Sequence, residues 1–313
     1  MADRMAGYLM QSRADNTVKK YNSSFEHFKT YCEDNSLVAM PALPISVAMY
    51  MTQLMDHGKS NNVVSSVFYS IKWVHSMNGV NDPTENNIVK QLLEASKRVC
   101  SKPVHKKDVL SLEMIQTLCL MYKDSTDVID VRDLAMIILG YAGFMRMNEI
   151  SELRCNDVQF KSDHFVINVH HSKTDIYRNG SEIIIAKGTT SACPYGILTK
   201  YMSLANLSNE SNEYLFKPAF RSKAVSSLIK KDKKLSYTRA RECIVKKLKL
   251  VGPELDIGTH SLRASGATNV ANASSVSERC LKIHGRWKTD IAKDGYVQDS
   301  IDKRLSVTKT LNL

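Results

Sequence analysis

GFMRMNEISELRCNDV, residues 143–158, directly follows the longest apolar run of the chain, Ala135 to Tyr141. The run predicts a buried helix that ends at Ala142-Gly143. Arg146 leaves the end of this helix, where its side chain is well held and its guanidinium can bind two phosphate oxygens at once. Glu149, three residues later, can orient the arginine. Taken alone, however, the two residues are explained more simply by an ordinary Arg–Glu pair on the surface.

A predicted β-hairpin follows this stretch. Two runs of alternating or β-branched residues, 164–170 and 182–186, are separated by polar residues and an Asn179-Gly180 turn signal. Lys173 lies at the predicted tip, from which an ammonium group can reach into a groove and donate a proton, which a guanidinium does poorly. On this basis alone, Lys173 is one lysine among many.

Helical patterns flank the hairpin, at 111–123 and 126–143 before it and from residue 195 to the end after it, with breaks near Gly252-Pro253 and Gly285. The second part of the chain is therefore predicted to be mainly α with a small antiparallel β-sheet.

A second cluster lies in GTHSLRASGAT, residues 258–268. His260 and Arg263 are three residues apart, which predicts that they share one face of a helix. An imidazole beside a guanidinium suits phosphoryl transfer, because the guanidinium neutralises charge while the imidazole moves a proton. A helix-capping or core histidine at position 260 is the plainer alternative.

The last cluster is IHGRWKTDIAKDGYVQD, residues 283–299, which contains His284, Arg286, Trp287 and Tyr296. Tyr296 follows Asp294-Gly295, a turn signal that predicts an exposed and mobile side chain. A single tyrosine among the thirteen of this chain is normally structural.

Together, the four segments resemble the catalytic motifs of the tyrosine recombinases, the phage integrase family that includes Cre and the Xer enzymes. The family's order is Arg, Lys, His-x-x-Arg, His or Trp, and then Tyr. Its first arginine stands in R-x-x-E-[LI]-x-x-L-x-x-x-D, which residues 146–157 match throughout. HSLR at 260–263 matches the His-x-x-Arg box, and Trp287 stands nine residues before Tyr296, where the family has His or Trp.

The resemblance implies a catalytic set with two supporting residues, Glu149 and His284. The catalytic set is Arg146, Lys173, His260, Arg263, Trp287 and Tyr296. Lys173 is the best match to the family's hairpin lysine, whereas His284 does not align with the His-or-Trp position. Ala264 departs from bacterial members, which often have His after the box arginine, but that position is not in the catalytic set.

The motifs of the family cover roughly residues 107–300, and residues 1–100 match it only in architecture. Four amphipathic helices predicted in this part form a compact bundle, similar to the family's core-binding domain. The basic segment SKPVHKKDV, 101–109, is predicted to be a linker. The expected domains are therefore 1–103, a helical SAM-like DNA-binding domain, and 104–313, the catalytic domain.

The composition favours a polyanionic partner. The chain has 43 basic and 32 acidic residues, a net charge of +11. Its seven cysteines are widely spaced without a C-x-x-C motif, which is typical of a reduced intracellular protein. The N-terminus lacks the apolar run of a signal peptide, and no apolar stretch is long enough to span a bilayer. We therefore expect no membrane association, and location with DNA in a nucleus or in a prokaryotic cytoplasm.

The resemblance also implies a mechanism without a metal or other cofactor. Tyr296 attacks a DNA phosphodiester to form a 3′-phosphotyrosine, while Arg146 and Arg263 stabilise the charge on the phosphate. His260 accepts the phenolic proton and Lys173 protonates the leaving 5′ oxygen. Trp287 packs the site and can donate its indole N–H to the phosphate.

Double-stranded DNA is the expected partner, with the two domains closing around it as a clamp. The family also assembles as tetramers on paired sites. The apolar residues of the tail, 299–313, therefore predict that it packs on a neighbouring protomer.

The segment HGRWKTD, residues 284–290, is similar to the sequence of recombinases from eukaryotic mobile elements, such as Crypton or DIRS-type elements, or their captured copies. A captured copy that binds DNA without cleaving it and a type IB topoisomerase remain alternatives at this point. A metal site built from His164, His170 and His171 is a weaker one, because neighbouring strand residues point to opposite faces.

Overall fold

The structure is a computed structural model that describes residues 2–103, 105–170, 172, 175, 179–222, 225–273 and 276–311. The chain forms two compact units, residues 1–105 and 106–313. Lys173 and His171 lie outside the described residues.

The first unit is a bundle of helices. It contains α1 (Ala2–Gln11), α2 (Asp15–Asp34), α3 (Pro44–Asp56), α4 (Asn61–Met77), a 3₁₀ turn (Pro83–Glu85) and α5 (Asn87–Val99). Apolar residues from α2 to α5 form its core, including Phe28, Val47, Met51, Val64, Ile71 and Val89. The four predicted helices are confirmed, but α1 was not predicted. Helix α2 begins at Asp15, with Ala14 in the N-cap position.

The second unit begins with helices that surround a single buried one. The first elements are α6 (Leu112–Met121), α7 (Val128–Ala142), α8 (Met147–Glu152) and a 3₁₀ turn (Cys155–Asp157). Almost every residue of α7 is buried, which is typical of a helix that is apolar all round and lies inside a domain. Helices α9 (Pro194–Leu204) and α11 (Thr259–Ala273) pack against it.

The predicted hairpin is confirmed as part of a three-stranded antiparallel sheet. Its strands are β1 (Val158–Phe160), β2 (His164–Val169) and β3 (Ser181–Ala186), in the order β1-β2-β3. Phe165 pairs with Ile185 and Ile167 with Ile183, and these four side chains are buried in the core. Strand β1 was not predicted, because a three-residue strand is too short for an alternating pattern.

A second hairpin contradicts the prediction that residues from 195 onward are helical. Strands β4 (Ala219–Ser222) and β5 (Val225–Leu228) pair with each other. Asp127 at the N-terminus of α7 holds this hairpin, since its Oδ2 accepts hydrogen bonds from Arg221 at 2.5 Å and from Ser226 at 2.9 Å. These contacts with a distant part of the chain override the local preference for helix.

The remaining elements carry the last two sequence clusters. They are α10 (Tyr237–Leu248), α11, α12 (Glu278–His284), α13 (Asp290–Asp294) and α14 (Ile301–Lys309). In the described part of the chain, no helix combines the length and the apolar character needed to cross a bilayer.

Candidate functional site

Arg146 and Glu149 form a partly buried pair where α7 is followed by α8. Oε1 of Glu149 accepts a hydrogen bond from Nη1 of Arg146 at 2.7 Å, and Oε2 accepts one from the backbone N–H of Arg146 at 2.9 Å. The side chains are only 14% and 3% exposed, respectively. The interpretation as a surface pair is therefore wrong, and Glu149 binds Arg146 through both of its carboxylate oxygens.

Arg263 is held inside the unit by α11. Its side chain donates hydrogen bonds to the backbone carbonyls of Phe144 and Gly285, and the residue is 1% exposed. Burial lowers the pKa of the guanidinium to about 10, helped by the positive charges of Arg146 and Arg286. The group therefore stays charged at neutral pH.

Tyr296 and Trp287 pack on the guanidinium of Arg263. The guanidinium carbon lies 4.8 Å from the centroid of the Trp287 ring and 5.0 Å from that of Tyr296. The two rings are themselves 5.7 Å apart. Such contacts between a guanidinium and aromatic faces are attractive, and more so where water is excluded.

Tyr296 is half-buried, in contrast to the exposed side chain that was predicted. The turn after α13 was predicted correctly, and the N–H of Tyr296 donates to the carbonyl of Lys293 at 2.8 Å. The prediction of exposure is wrong because the Tyr296 ring packs against a small hydrophobic cluster of Phe144, Ala267, Leu281 and Trp287. Trp287 is 6% exposed, and its buried indole N–H has no hydrogen-bond partner among the described residues.

His260 lies in the first turn of α11 and is exposed, whereas Arg263 one turn later is buried. The two residues are close in sequence but differ in access to solvent. Next to His260, the side chain of Thr259 is within hydrogen-bond distance of the Tyr237 hydroxyl at 3.1 Å. This contact links the start of α11 to the start of α10.

Lys173 falls outside the described residues, so its assignment stays a prediction. The nearby Asp175 accepts hydrogen bonds from the backbone N–H groups of Asn179 and Gly180 at 3.1 and 2.8 Å. Gly180 has a φ of +73°, a conformation that favours glycine. Gly180, directly before β3, thus adopts a backbone conformation for which glycine is suited, and Asp175 holds it there.

His284 caps the end of α7. Its Nε2 lies 2.8 Å from the carbonyl of Ala142, and its ring packs edge-on against Phe144 at 4.7 Å. Since a carbonyl only accepts, Nε2 carries the proton. Burial lowers the pKa of His284, and the charges of Arg286 and Arg263 lower it further. At neutral pH His284 is therefore a neutral hydrogen-bond donor to the end of α7.

The lowered pKa of His284 predicts a pH-dependent contribution to stability. In the unfolded chain the imidazole has a pKa of about 6.5, so the unfolded state binds the proton more readily than the folded state. The stabilisation that the neutral imidazole provides is complete above about pH 6.5. It is lost as the pH falls through the lower pKa that His284 has in the folded state. The free energy of unfolding of wild type should thus decrease relative to that of His284→Gln between about pH 7.5 and 5.

Tryptophan fluorescence can report the unfolding of the second unit within the full chain. Trp73 and Trp287 are the two tryptophans of the chain. In a Trp73→Phe background, urea unfolding followed by tryptophan fluorescence reports on Trp287. A difference between wild type and His284→Gln that is constant over this pH range would contradict the assignment.

Arg286 is the site residue that the sequence analysis did not assign. Its Nη2 donates to Oε2 of Glu149 at 2.7 Å, and its Nη1 lies 3.3 Å from the carbonyls of Gly143 and His284. Its φ of +55° is unusual for a residue other than glycine. The only sequence signal for this residue is its place between Gly285 and Trp287, at a predicted break in helix.

Two of the three histidines of the weaker metal alternative lie in the described part of the chain, and both have other partners. His164 pairs with Asp163 at 2.6 Å, and His170 pairs with Asp157 at 2.8 Å. Within the described ranges, no group of three or more His, Cys, Asp or Glu residues is arranged to hold a metal ion.

The site thus gathers three arginines around one carboxylate, with a tyrosine beside them. Arg146, Arg263 and Arg286 carry three positive charges, and Glu149 supplies one negative charge among them. A net positive site of low solvent access stabilises an anion more strongly than exposed cations do. It fits a phosphate group next to the Tyr296 ring.

Comparison with known proteins identifies the family. Residues 109–285, more than half of the chain, match the model of the phage integrase family. The chain belongs to the phage integrase family. The match ends before Trp287 and Tyr296, and it is the contacts described above that join these two residues to Arg263.

Comparisons of this phage integrase family member with individual proteins support the same family. An integrase/recombinase XerD homologue of Selenomonas ruminantium is 27% identical over 84% of this chain and 76% of its own length. The fold is similar to that of XerH site-specific recombinase bound to a palindromic difH substrate in a post-cleavage complex. That structure has a TM-score of 0.62 and 14% identity, over 95% of this chain and 78% of XerH.

A lambda integrase dimer bound to a COC′ core site has the same fold. Its TM-score is 0.59 at 14% identity, over 95% of this chain and 76% of the integrase chain. The predicted mainly α fold with a small antiparallel sheet and the resemblance to the tyrosine recombinases are therefore confirmed. The narrower resemblance to eukaryotic mobile elements stays a prediction.

Proposed function

We propose that this chain breaks and rejoins DNA strands by using Tyr296 as the nucleophile. The observation that carries the proposal is the position of the Tyr296 ring, 5.0 Å from the buried guanidinium of Arg263. The nucleophile of a phosphoryl transfer must lie close to the groups that hold the phosphate. The relatives named above are recombinases and integrases, and this supports the same chemistry here.

The reaction is a pair of transesterifications. The Tyr296 oxygen forms a bond to phosphorus, and the bond from phosphorus to the 5′ oxygen of the next nucleotide breaks. The phenolic proton passes to a base, and the departing 5′ oxygen receives a proton from an acid. The 3′-phosphotyrosine conserves the energy of the phosphodiester, so a 5′-hydroxyl can reverse the step without ATP.

Two arginines are assigned to the phosphate. Arg146 is partly exposed, and Glu149 holds one end of its guanidinium. Each terminal nitrogen of Arg263 uses one N–H for a backbone carbonyl and has a second N–H left. Since Tyr296 covers Arg263, we infer that the ring shifts along the guanidinium when a phosphate enters.

The proposed proton transfers and the third phosphate contact are assigned from solvent exposure and side-chain chemistry. His260 is exposed at the start of α11, where it can accept the phenolic proton. Trp287 has an indole N–H without a partner among the described residues, and this donor suits a phosphate oxygen. Lys173 is proposed as the acid for the 5′ oxygen, on the family resemblance alone.

Duplex DNA is the proposed partner of both units. The net charge of +11 supports it, and so do the relatives whose structures contain DNA. We propose that the helical unit of residues 1–105 binds DNA as a core-binding domain.

A trapping experiment tests the function with substrates that sample many DNA sequences at once. The protein is incubated with duplex oligonucleotides that carry a randomised central region and a nick in one strand. Cleavage near the nick releases a short fragment, which diffuses away and leaves the protein attached to a 3′ end. We expect a covalent complex that survives denaturant, and an equal yield in EDTA.

Two matched variants make this experiment decisive. Tyr296→Phe should form no complex, whereas Tyr195→Phe, which removes a hydroxyl that donates to the carbonyl of Lys161, should react like wild type. Recovered 3′ ends with a shared sequence support a site-specific recombinase. Attachment without sequence preference would indicate a topoisomerase-like enzyme, and binding without attachment would indicate a DNA-binding protein that no longer cleaves.

The tail is proposed to pack on a neighbouring protomer in a tetramer on paired sites. No residue of α14 is buried, and four apolar side chains there and just beyond it are exposed: Ile301, Leu305, Val307 and Leu311. A dimeric relative on DNA supports an assembly of this kind. The unpartnered apolar side chains predict a contact with a second copy.

Truncation after Ser300 should therefore abolish assembly of more than one protomer on the recovered DNA site, measured by sedimentation. Asp302→Asn, which changes only a polar side chain of α14, serves as the control and should assemble normally. Normal assembly of the truncated chain would rule out the tail exchange.

A further inference from the structure

Arg286 connects three separate parts of the site. Its Nη2 binds Glu149 at 2.7 Å, and the same nitrogen lies 3.4 Å from the carbonyl of Phe144. Its Nη1 reaches the carbonyls of Gly143 and His284. The arginine therefore ties the segment that carries Trp287 to the end of α7 and to the start of α8.

This arrangement has two unfavourable features. Arg286 adopts a φ of +55°, which is strained for a residue with a Cβ. Its side chain is also only 8% exposed, although it carries a charge close to two other arginines. Burial and the charge of Arg146 lower the pKa of Arg286, and Glu149 opposes that effect. Strain and buried charge are typical of positions where function requires a particular geometry.

Glu149 is shared between Arg286 and Arg146. Its Oε2 accepts from Nη2 of Arg286 and from the backbone N–H of Arg146, and its Oε1 accepts from Nη1 of Arg146 at 2.7 Å. Among the hydrogen bonds to this carboxylate within the described residues, only the one from Arg286 comes from outside Arg146 itself. Arg286 therefore anchors the carboxylate, and with it the guanidinium of Arg146, to the segment that carries Trp287.

Direct contact of Arg286 with the phosphate does not fit its surroundings. Both terminal nitrogens of Arg286 already bind protein oxygens, and its Nε is buried among protein atoms. Arg146 differs, because its Nη2 has no hydrogen-bond partner among the described residues and its side chain is 14% exposed. Arg146 therefore faces the incoming group, and Arg286 lies behind Glu149.

We propose that Arg286 is a positioning residue for strand cleavage, which fixes Glu149 and, through Glu149, the guanidinium of Arg146. The proposal rests on the proposed function and adds a residue that acts without contacting the phosphate. It predicts that Arg286 and Glu149 act together to hold the guanidinium of Arg146, so that losing either one has the same consequence for cleavage.

A first test needs no DNA. In protein with ¹⁵N-labelled arginine, the guanidinium signals of Arg146 are assigned by comparison with Arg146→Lys and should show slow rotation. Arg286→Met should let this guanidinium rotate freely, whereas Arg154→Met, which removes an arginine 3.5 Å from Asp232, should leave it unchanged. Slow rotation of Arg146 in Arg286→Met would overturn the proposal.

A second test measures single-turnover cleavage of a nicked substrate with the sequence recovered by trapping. Misplacement by about 1 Å lowers a rate by roughly 10²-fold. We therefore expect Arg286→Met and Glu149→Gln each to lose about 10²-fold, with DNA affinity unchanged. The double variant should be no slower than Glu149→Gln, because both changes remove the same support. Arg286→Lys, which keeps one charged contact with Glu149, should recover part of the rate.

The outcomes separate the alternatives. If the loss of cleavage rate in the double variant equals the product of the two single losses, Arg286 acts on the phosphate itself. Weaker DNA binding by Arg286→Met would mean the same. A rate near that of wild type in Arg286→Met would mean that it positions nothing. If Arg286→Met does not fold, the cycle is run with Arg286→Lys. If wild type forms no covalent complex, the proposed function fails, and the arginine spectra still decide the role of Arg286.

Discussion

Arg263→Lys is expected to lower the rate of single-turnover DNA cleavage by about 10³-fold, the scale of losing one fixed donor to a developing anion. The guanidinium of Arg263 bridges the carbonyls of Phe144 and Gly285 while it packs on two aromatic rings. An ammonium group is compact, and it cannot span both carbonyls and still present N–H groups to a phosphate. Charge alone is therefore not enough at this position.

The same substitution should also destabilise the folded state. The buried carbonyl of Gly285 loses its partner, which costs about 1–3 kcal/mol. The control is Arg239→Lys, because Arg239 is an exposed residue of α10 that pairs with Glu242 at 3.3 Å. It should change neither the rate nor the midpoint of urea unfolding. A rate for Arg263→Lys within threefold of wild type would contradict the proposed role of Arg263.

Gly266→Ala is expected to destabilise the second unit by about 3 kcal/mol or more, at the upper end of overpacking effects. A Cβ on Gly266 would lie 2.1 Å from the carbonyl oxygen of Tyr141 and 2.6 Å from the ring of Phe144. Glycine lets α11 approach the end of α7 closely enough for Arg263 to reach Phe144. A methyl group forces the helices apart, so cleavage should be lost together with stability.

A second helical glycine provides the matched control. Gly196 lies in α9, and a Cβ there would meet nothing closer than 3.9 Å. Gly196→Ala should therefore be neutral or stabilising by up to about 1 kcal/mol, as expected from helix propensity. The midpoints of urea unfolding measure both variants. An unfolding midpoint for Gly266→Ala equal to that of wild type would show that α7 and α11 do not pack as closely as described.

Local sequence patterns were enough to predict the parts of the site that are close in sequence. Arg146 and Glu149 are three residues apart, so their pairing follows from helix geometry. The hairpin of β2 and β3 follows from alternation that matches its buried face. Family motifs added the link between these segments and Tyr296, and the structure brings Tyr296 and Arg263 together.

Contacts between distant residues were not predictable in the same way. Arg286 and Glu149 are 137 residues apart, and no periodic pattern relates them. The burial of Arg263 depends on the close approach of α11 to α7, which is set by Gly266 rather than by the arginine. The hairpin of β4 and β5 depends on Asp127, which lies far earlier in the chain. In each case the deciding interaction is formed only by the folded chain.

The most direct test of the central claim is to locate the bond between the protein and DNA. The trapped complex is digested with nuclease and protease, and the peptide that retains a nucleotide is identified by mass spectrometry. We predict a 3′-linked nucleotide phosphate on the oxygen of Tyr296 and on no other residue. A nucleotide on a different side chain, or none on the peptide that contains Tyr296, would contradict the account.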